Sequence, residues 1–161
     1  MISQRLLDRM TTAEREALTR KPARCPTFGK GRVRAASTWA AGWRIVGGQR
    51  AYFRSRWEYN YAVYLQFLVE QRQIRGWEHE PETFWFPGVK RGCVSYLPDF
   101  RVTANDGRVE YHEVKGWMDP KSKTKLRRMT KYHPAVTMRV IDAKWFKANG
   151  PKLRFLKGWE R

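Results

Sequence analysis

The chain has 161 residues, 42% hydrophobic and 14% aromatic with 8 Trp, and a formal net charge of +18 from 33 Lys+Arg against 15 Asp+Glu. So much large apolar surface can build a core, which excludes a fully disordered chain, and the length argues for one domain with a short appendage. A domain this basic repels itself unless it meets a polyanion, so nucleic acid is the first candidate partner and an anionic membrane surface the second.

The longest uncharged run, Tyr59–Val69, has 11 residues, too short to span a bilayer. No apolar stretch follows Met1, so no secretory signal is expected. Two cysteines, Cys25 and Cys93, and 3 scattered histidines argue against a disulfide framework and a four-ligand zinc site. The expected compartment is a reducing cytoplasm.

In chain order, residues 3–20 read as one or two short helices, with Thr11 and Glu14 at capping-box spacing and an apolar stripe of Leu6, Leu7, Met10, Ala13, Ala17 and Leu18. Lys21–Arg34, rich in Pro, Gly and cations, reads as a flexible basic arm. Ala35–Arg50 reads as irregular. Residues 1–54 are therefore taken as a basic N-terminal helical segment and arm, and 55–161 as the core.

Ser55–Gln73 is the clearest helix, with Ser55 as N-cap and Trp57, Tyr61, Ala62, Tyr64, Leu65, Leu68 and Val69 on one apolar arc. Glu78–Phe86 is a predicted strand closed by Pro87-Gly88. Val94–Thr103 and Arg108–Lys115 are two more, joined by the hairpin residues Asn105-Asp106-Gly107. Lys121–His133 is a basic helix stopped by Pro134, Val136–Ile141 a short strand and Ala143–Ala148 a short helix. This order of elements predicts an α/β fold, a central mixed β-sheet flanked by helices.

The acids are unevenly placed: 9 of the 15 fall between Glu58 and Glu113, inside an otherwise basic chain. Glu58 lies within the apolar arc of the Ser55–Gln73 helix. A buried carboxylate needs a partner, which is either an arginine such as Arg54 or a metal ion. A three-residue loop 105–107 pairs residues whose numbers sum to 212, and so sets Asp99 across from Glu113 and Leu97 across from Lys115. A two- or four-residue loop would instead set Asp99 across from Val114 or His112. Facing carboxylates destabilise a sheet, and a hard divalent cation between them removes that cost. Lys115, two residues past Glu113, shares its face, whereas His112 points to the other face and reads as structural. Glu80 and Glu82 are further acids that could face the site.

The ordered set is a Glu on an amphipathic helix, Pro98-Asp99 in a strand, a hairpin, then Glu113-Val114-Lys115. It resembles the motif of the PD-(D/E)xK nuclease superfamily over roughly residues 55–141. Within it, the likeness is nearest to the phage and archaeal-type Holliday junction resolvases and related phage endonucleases. The resemblance implies a restriction-endonuclease-like core and a Mg²⁺-dependent endodeoxyribonuclease, with Mn²⁺ able to substitute. Asp99, Glu113 and the Val114 carbonyl would be metal ligands, Glu58 would complete the site or hold a second ion, and Lys115 would orient the attacking water.

A DNA substrate fits the cations Lys121, Lys123, Lys125, Arg127, Arg128 and Lys131, which follow the motif and could track a phosphate backbone. Trp117 and Met118 could touch unstacked bases at a branch or belong to the core. One carboxylate cluster per chain and two opposed cuts per four-way junction imply a homodimer, with Leu6, Leu7, Met10 or Trp39–Trp43 as candidate interface. Competing readings are a nickase or transposase-like end cleaver of the same fold, and a non-catalytic DNA- or RNA-binding protein. The last explains the charge but not the carboxylates.

Overall fold

The computed structural model describes residues 41–160. The expected helices at 3–20 and the arm at 21–34 lie outside the described residues. The described chain is mixed α/β, with three small sheets and three helices. Among the described residues no helix is long and apolar enough to cross a membrane.

The first element corrects the sequence reading. Residues expected to be irregular form a hairpin, β1 (Gly42–Val46) and β2 (Gln49–Phe53). Gly47 and Gly48 both take positive φ, 58° and 79°, the two-residue turn that glycine pairs favour because its twist matches that of the strands. The inner face of this hairpin delivers Val46 and Phe53 to the main core.

Helix α1 (Arg56–Glu70) follows, with Ser55 as N-cap accepting from the Glu58 N–H. Its apolar arc packs on the sheet as expected. Tyr59, Asn60 and Val63 are buried as well, so the helix is covered on more than one side. Tyr59 and Val63 lie under Gly158 at the C-terminal tail, where an added Cβ would meet the Tyr59 hydroxyl at 2.8 Å. Asn60 exchanges two 2.8 Å hydrogen bonds with the Glu160 backbone.

The strand expected over Glu78–Phe86 is two pieces, β3 (Gly76–His79) and β4 (Phe84–Trp85). Glu80 interrupts it at φ 46°, a left-handed conformation that ends a strand. Val94–Thr103 likewise divides into β5 (Ser95–Tyr96) and β6 (Phe100–Thr103) around Leu97-Pro98, because Pro98 supplies no ladder N–H. β4 and β5 pair with each other as a separate antiparallel ribbon.

The central sheet has the order β3-β6-β7-β8, where β7 is Val109–Lys115 and β8 is Thr137–Asp142. β3, β6 and β7 run antiparallel, while β8 lies parallel to β7. Helix α2 (Pro120–Tyr132) makes the crossover between these parallel strands, as a parallel pair requires. Asp119 caps it, its carboxylate accepting from Ser122 N–H at 2.6 Å, and Pro120 fits the first turn, where no N–H is needed. Helix α3 (Ala143–Leu153) is capped by Asp142 and runs past the expected end at Ala148, through Gly150-Pro151. Phe146 and Leu153 anchor it on the core.

The main core lies between α1, α3 and one face of the sheet, around Phe100, Leu65, Val114 and Ile141. A smaller cluster of Phe86, Tyr96 and Met129 joins the β4–β5 ribbon to α2. Together they cover the end of β7 that carries the charged motif.

Candidate active site

The β6–β7 register is the one the three-residue loop requires: Phe100 faces His112, Arg101 faces Tyr111, Val102 faces Glu110 and Thr103 faces Val109. Gly107 takes φ 87° and its N–H returns to the Ala104 carbonyl at 3.0 Å. One position beyond this ladder, Asp99 and Glu113 come together, each 4% exposed.

The Asp99 carboxylate accepts the Val114 N–H at 2.7 Å, so it is held on the peptide that follows Glu113. Glu113 is gripped from two sides, by the Lys115 ammonium at 2.8 Å and by the Tyr96 hydroxyl, which donates to its other oxygen. The sequence reading missed Tyr96. It precedes Pro98-Asp99 in Ser95-Tyr96-Leu97, but its register to β7 depends on the kink at Pro98. Burial, Glu113 and Asp99 all push the Tyr96 hydroxyl upward, so it stays a protonated donor.

Glu58 approaches from the first turn of α1. Its carboxylate accepts from the Arg54 backbone N–H at 2.8 Å and the Ser55 hydroxyl at 3.1 Å. The Arg54 guanidinium is turned instead to Glu80. Glu58 is thus not the partner of the Arg54 side chain; it closes a reciprocal cap with Ser55. Glu80 is occupied by Arg54, and Glu82 accepts from the Tyr111 hydroxyl. His112 lies buried on the opposite face as expected. Its Nε2 is 3.1 Å from Glu110 and its Nδ1 2.8 Å from the Tyr61 hydroxyl. A carboxylate only accepts, so Nε2–H donates to Glu110 and Nδ1 accepts a hydrogen bond from the Tyr61 hydroxyl. Burial holds this imidazole below its usual range, so it stays neutral.

The electrostatics tie the four motif residues into one group. Burial, then the charges of Glu113 and Glu58, push Asp99 up to about 7, against the pull of Lys115 and the Val114 N–H. Burial also raises Glu58, although the Arg54 N–H and Ser55 oppose it. Burial works to lower Lys115, but Glu113, Asp99 and Glu58 outweigh it and hold the ammonium charged. Lys115, and Arg54 acting on Glu58, offset this negative charge only in part, since Asp99 and Glu58 both remain raised, and a cation would favour the ionised carboxylates.

The donor chemistry suits a hard ion: Asp99 and Glu113 supply carboxylate oxygens, and the Val114 carbonyl follows Glu113 directly in sequence. Mg²⁺ needs one or two such carboxylates and fills its other positions with water and phosphate. Among the described residues, no three acidic, histidine or cysteine side chains form a group able to hold an ion. Glu58 is engaged in its cap, and both oxygens of Glu113 already have protein partners.

Helix α2 begins five residues after Lys115. Its Lys121, Lys123, Arg127 and Lys131 are exposed. Lys125 sets its ammonium 5.8 Å from the centre of the Tyr96 ring. Arg128 donates to the carbonyls of Cys93 and Arg91, bracing the loop before β5. Four of the six expected phosphate contacts thus point to solvent, while the other two are turned inward. Trp117 is 82% exposed, which removes the core reading for it. No family model, no curated protein and no solved structure matches this chain.

Proposed function

We propose that this protein is a metal-dependent DNA endonuclease of the PD-(D/E)xK type, with a restriction-endonuclease-like core, acting on branched DNA as a Holliday junction resolvase. The observation that carries the reading is the buried pair Asp99 and Glu113 at the open end of the β6–β7 hairpin, with the Lys115 ammonium on Glu113. A structural ion pair would need one carboxylate. The second acid, pushed up to about 7, costs stability and is explained by a task. A bound Mg²⁺ or Mn²⁺ would supply Lewis acidity toward a phosphodiester and an acidified water.

Asp99, Glu113 and the Val114 carbonyl would hold that ion, with Glu58 completing the site. Lys115, charged and beside Glu113, orients a water and meets the charge that develops on the phosphate. Tyr96 fixes the rotamer of Glu113 from behind. The exposed cations of α2 lead away from this cluster and suit the flanking backbone of a duplex arm. Opposed cuts across a junction call for two copies of the cluster, hence a homodimer.

The test is cleavage of a four-way junction and of matched linear duplex, with and without Mg²⁺. Asp99→Asn and Glu113→Gln are expected to lower cleavage by more than the roughly 100-fold typical of a metal's outer-shell partners, with DNA affinity retained. Equal loss of binding, or turnover in either variant, would sink the catalytic reading and leave a non-catalytic DNA-binding protein. A monomer that cuts duplex as fast as junction would leave a simpler nuclease or nickase.

A further inference from the structure

The inner face of the β1–β2 hairpin is core; its outer face is bare. Trp43 faces Tyr52 across the ribbon, and Ile45 faces Arg50. Trp43 is 57% exposed, Ile45 69% and Tyr52 46%. Trp43 is nonetheless held in place. Its ring meets Tyr52 edge-on at 5.6 Å, and the Arg50 guanidinium sits 4.7 Å from its centre. An isolated exposed aromatic needs no explanation. Two aromatics fixed against each other, with an arginine stacked on one, form a surface with a defined shape and charge.

We infer that this face is a base-stacking site, on which Trp43 and Tyr52 take unpaired nucleobases of single-stranded DNA while Arg50 meets the adjoining phosphate. The inference rests on the nucleic-acid part of the proposed function and not on its chemistry.

Charge decides the occupant. Arg44 is turned to Glu160 and Arg54 to Glu80, so Arg50 is the cation of this face, and residues 42–54 contain no acid. A second copy docking here about a two-fold axis would bring like charges together. Residues 1–40 carry 9 Lys+Arg against 3 acids, so they too would add positive charge beside Arg50. A nucleic-acid strand supplies one phosphate per base and a π-face on every base, which aromatic platforms accept without regard to sequence. The platform is also close in the chain to the carboxylates. Tyr52 is two residues before Arg54, whose backbone N–H holds Glu58.

The experiment measures fluorescence anisotropy of the full chain with a labelled dT oligomer and with a blunt duplex, in the absence of divalent cations. A Trp43→Ala/Tyr52→Ala variant should lose at least the roughly 5- to 150-fold in dT affinity that follows from removing a single base–aromatic stack. Its duplex affinity and melting temperature should be unchanged, and Trp43→Phe should retain most dT binding.

Unaltered dT affinity in the double variant would overturn the inference. So would equal loss on duplex, a large fall in melting temperature that points to cover by the chain's own residues, or a change in sedimentation that points to a second copy. Absence of cleavage by the wild-type chain would end the endonuclease reading without touching this result.

Discussion

Two hairpins of similar construction face opposite ways in this molecule. β6–β7 turns on Asn105-Asp106-Gly107 and buries two carboxylates at its open end, while β1–β2 turns on Gly47-Gly48 and leaves two aromatics in water. Each puts side chains where solvation alone would not. Buried carboxylates cost desolvation and exposed aromatics forgo burial. The first departure is compensated in part inside the chain, by Lys115, Tyr96 and the Val114 N–H. The second has, among the described residues, the edge-on contact of Trp43 with Tyr52 and Arg50 stacked on Trp43, so its further compensation is sought in a partner. The proposed chemistry rests on burial of charge with partial pairing, and the proposed contact on display of ordered aromatics.

The comparison can be broken first on stability. If the two faces of β1–β2 differ as described, Phe53→Ala should destabilise by about 3–5 kcal/mol, as for other buried aromatics. Trp43→Ala should stay within about 0.5 kcal/mol, as for surface positions. Urea unfolding of both variants measures this, and equal losses would mean that the outer face is not free.

The β6–β7 hairpin makes a pH-dependent prediction for the metal-free chain. A carboxyl moved from 3.8 to about 7 on folding binds its proton more tightly in the folded state. Stability is therefore highest below about pH 4 as far as this group is concerned, and falls as pH rises to about 7, by at most about 4 kcal/mol. Asp99→Asn should remove that slope and raise the melting temperature at pH 8, since its amide oxygen can still accept the Val114 N–H. Added Mg²⁺ should raise the melting temperature of the wild-type chain and not of Asp99→Asn, because a ligand of the folded state stabilises it. An Asp99→Asn variant less stable than wild type at pH 8 would count against buried repulsion at this site.

A small effect on stability is expected at Glu58. Glu58→Gln keeps an acceptor for Arg54 N–H and Ser55, so stability should change by no more than about 1 kcal/mol, within the range of helix caps. Turnover per folded molecule should nevertheless fall, because the charge beside Asp99 is gone. A stability loss of several kcal/mol with unchanged turnover would assign Glu58 to the cap alone.

Turn chemistry and local pattern carried much of this structure in the sequence. The three-residue loop set the β6–β7 register, which brought Asp99 to Glu113 and placed Lys115 on the same face. Ser55 and Asp119 marked helix starts, and the apolar arc marked α1. The Gly47-Gly48 signal for β1–β2 was present too, but the small residues before it masked the alternation of the flanking strands.

Other features had no local signal. Tyr96 reaches Glu113 only because Pro98 breaks the strand and α2 packs Met129 against the ribbon that carries it. Arg128 is drawn to the Cys93 and Arg91 carbonyls by a loop far away in sequence, and nothing on its own helix distinguishes it from Arg127. The cover over Tyr59, Asn60 and Val63 comes from a tail about 100 residues later. Turns and caps are decided by a few adjacent residues and their φ preferences, so the sequence by itself determines them. Burial, and with it the partner of each charge and the raised pKa of Asp99, is a property of what the rest of the chain brings to that point, and only the tertiary structure decides it.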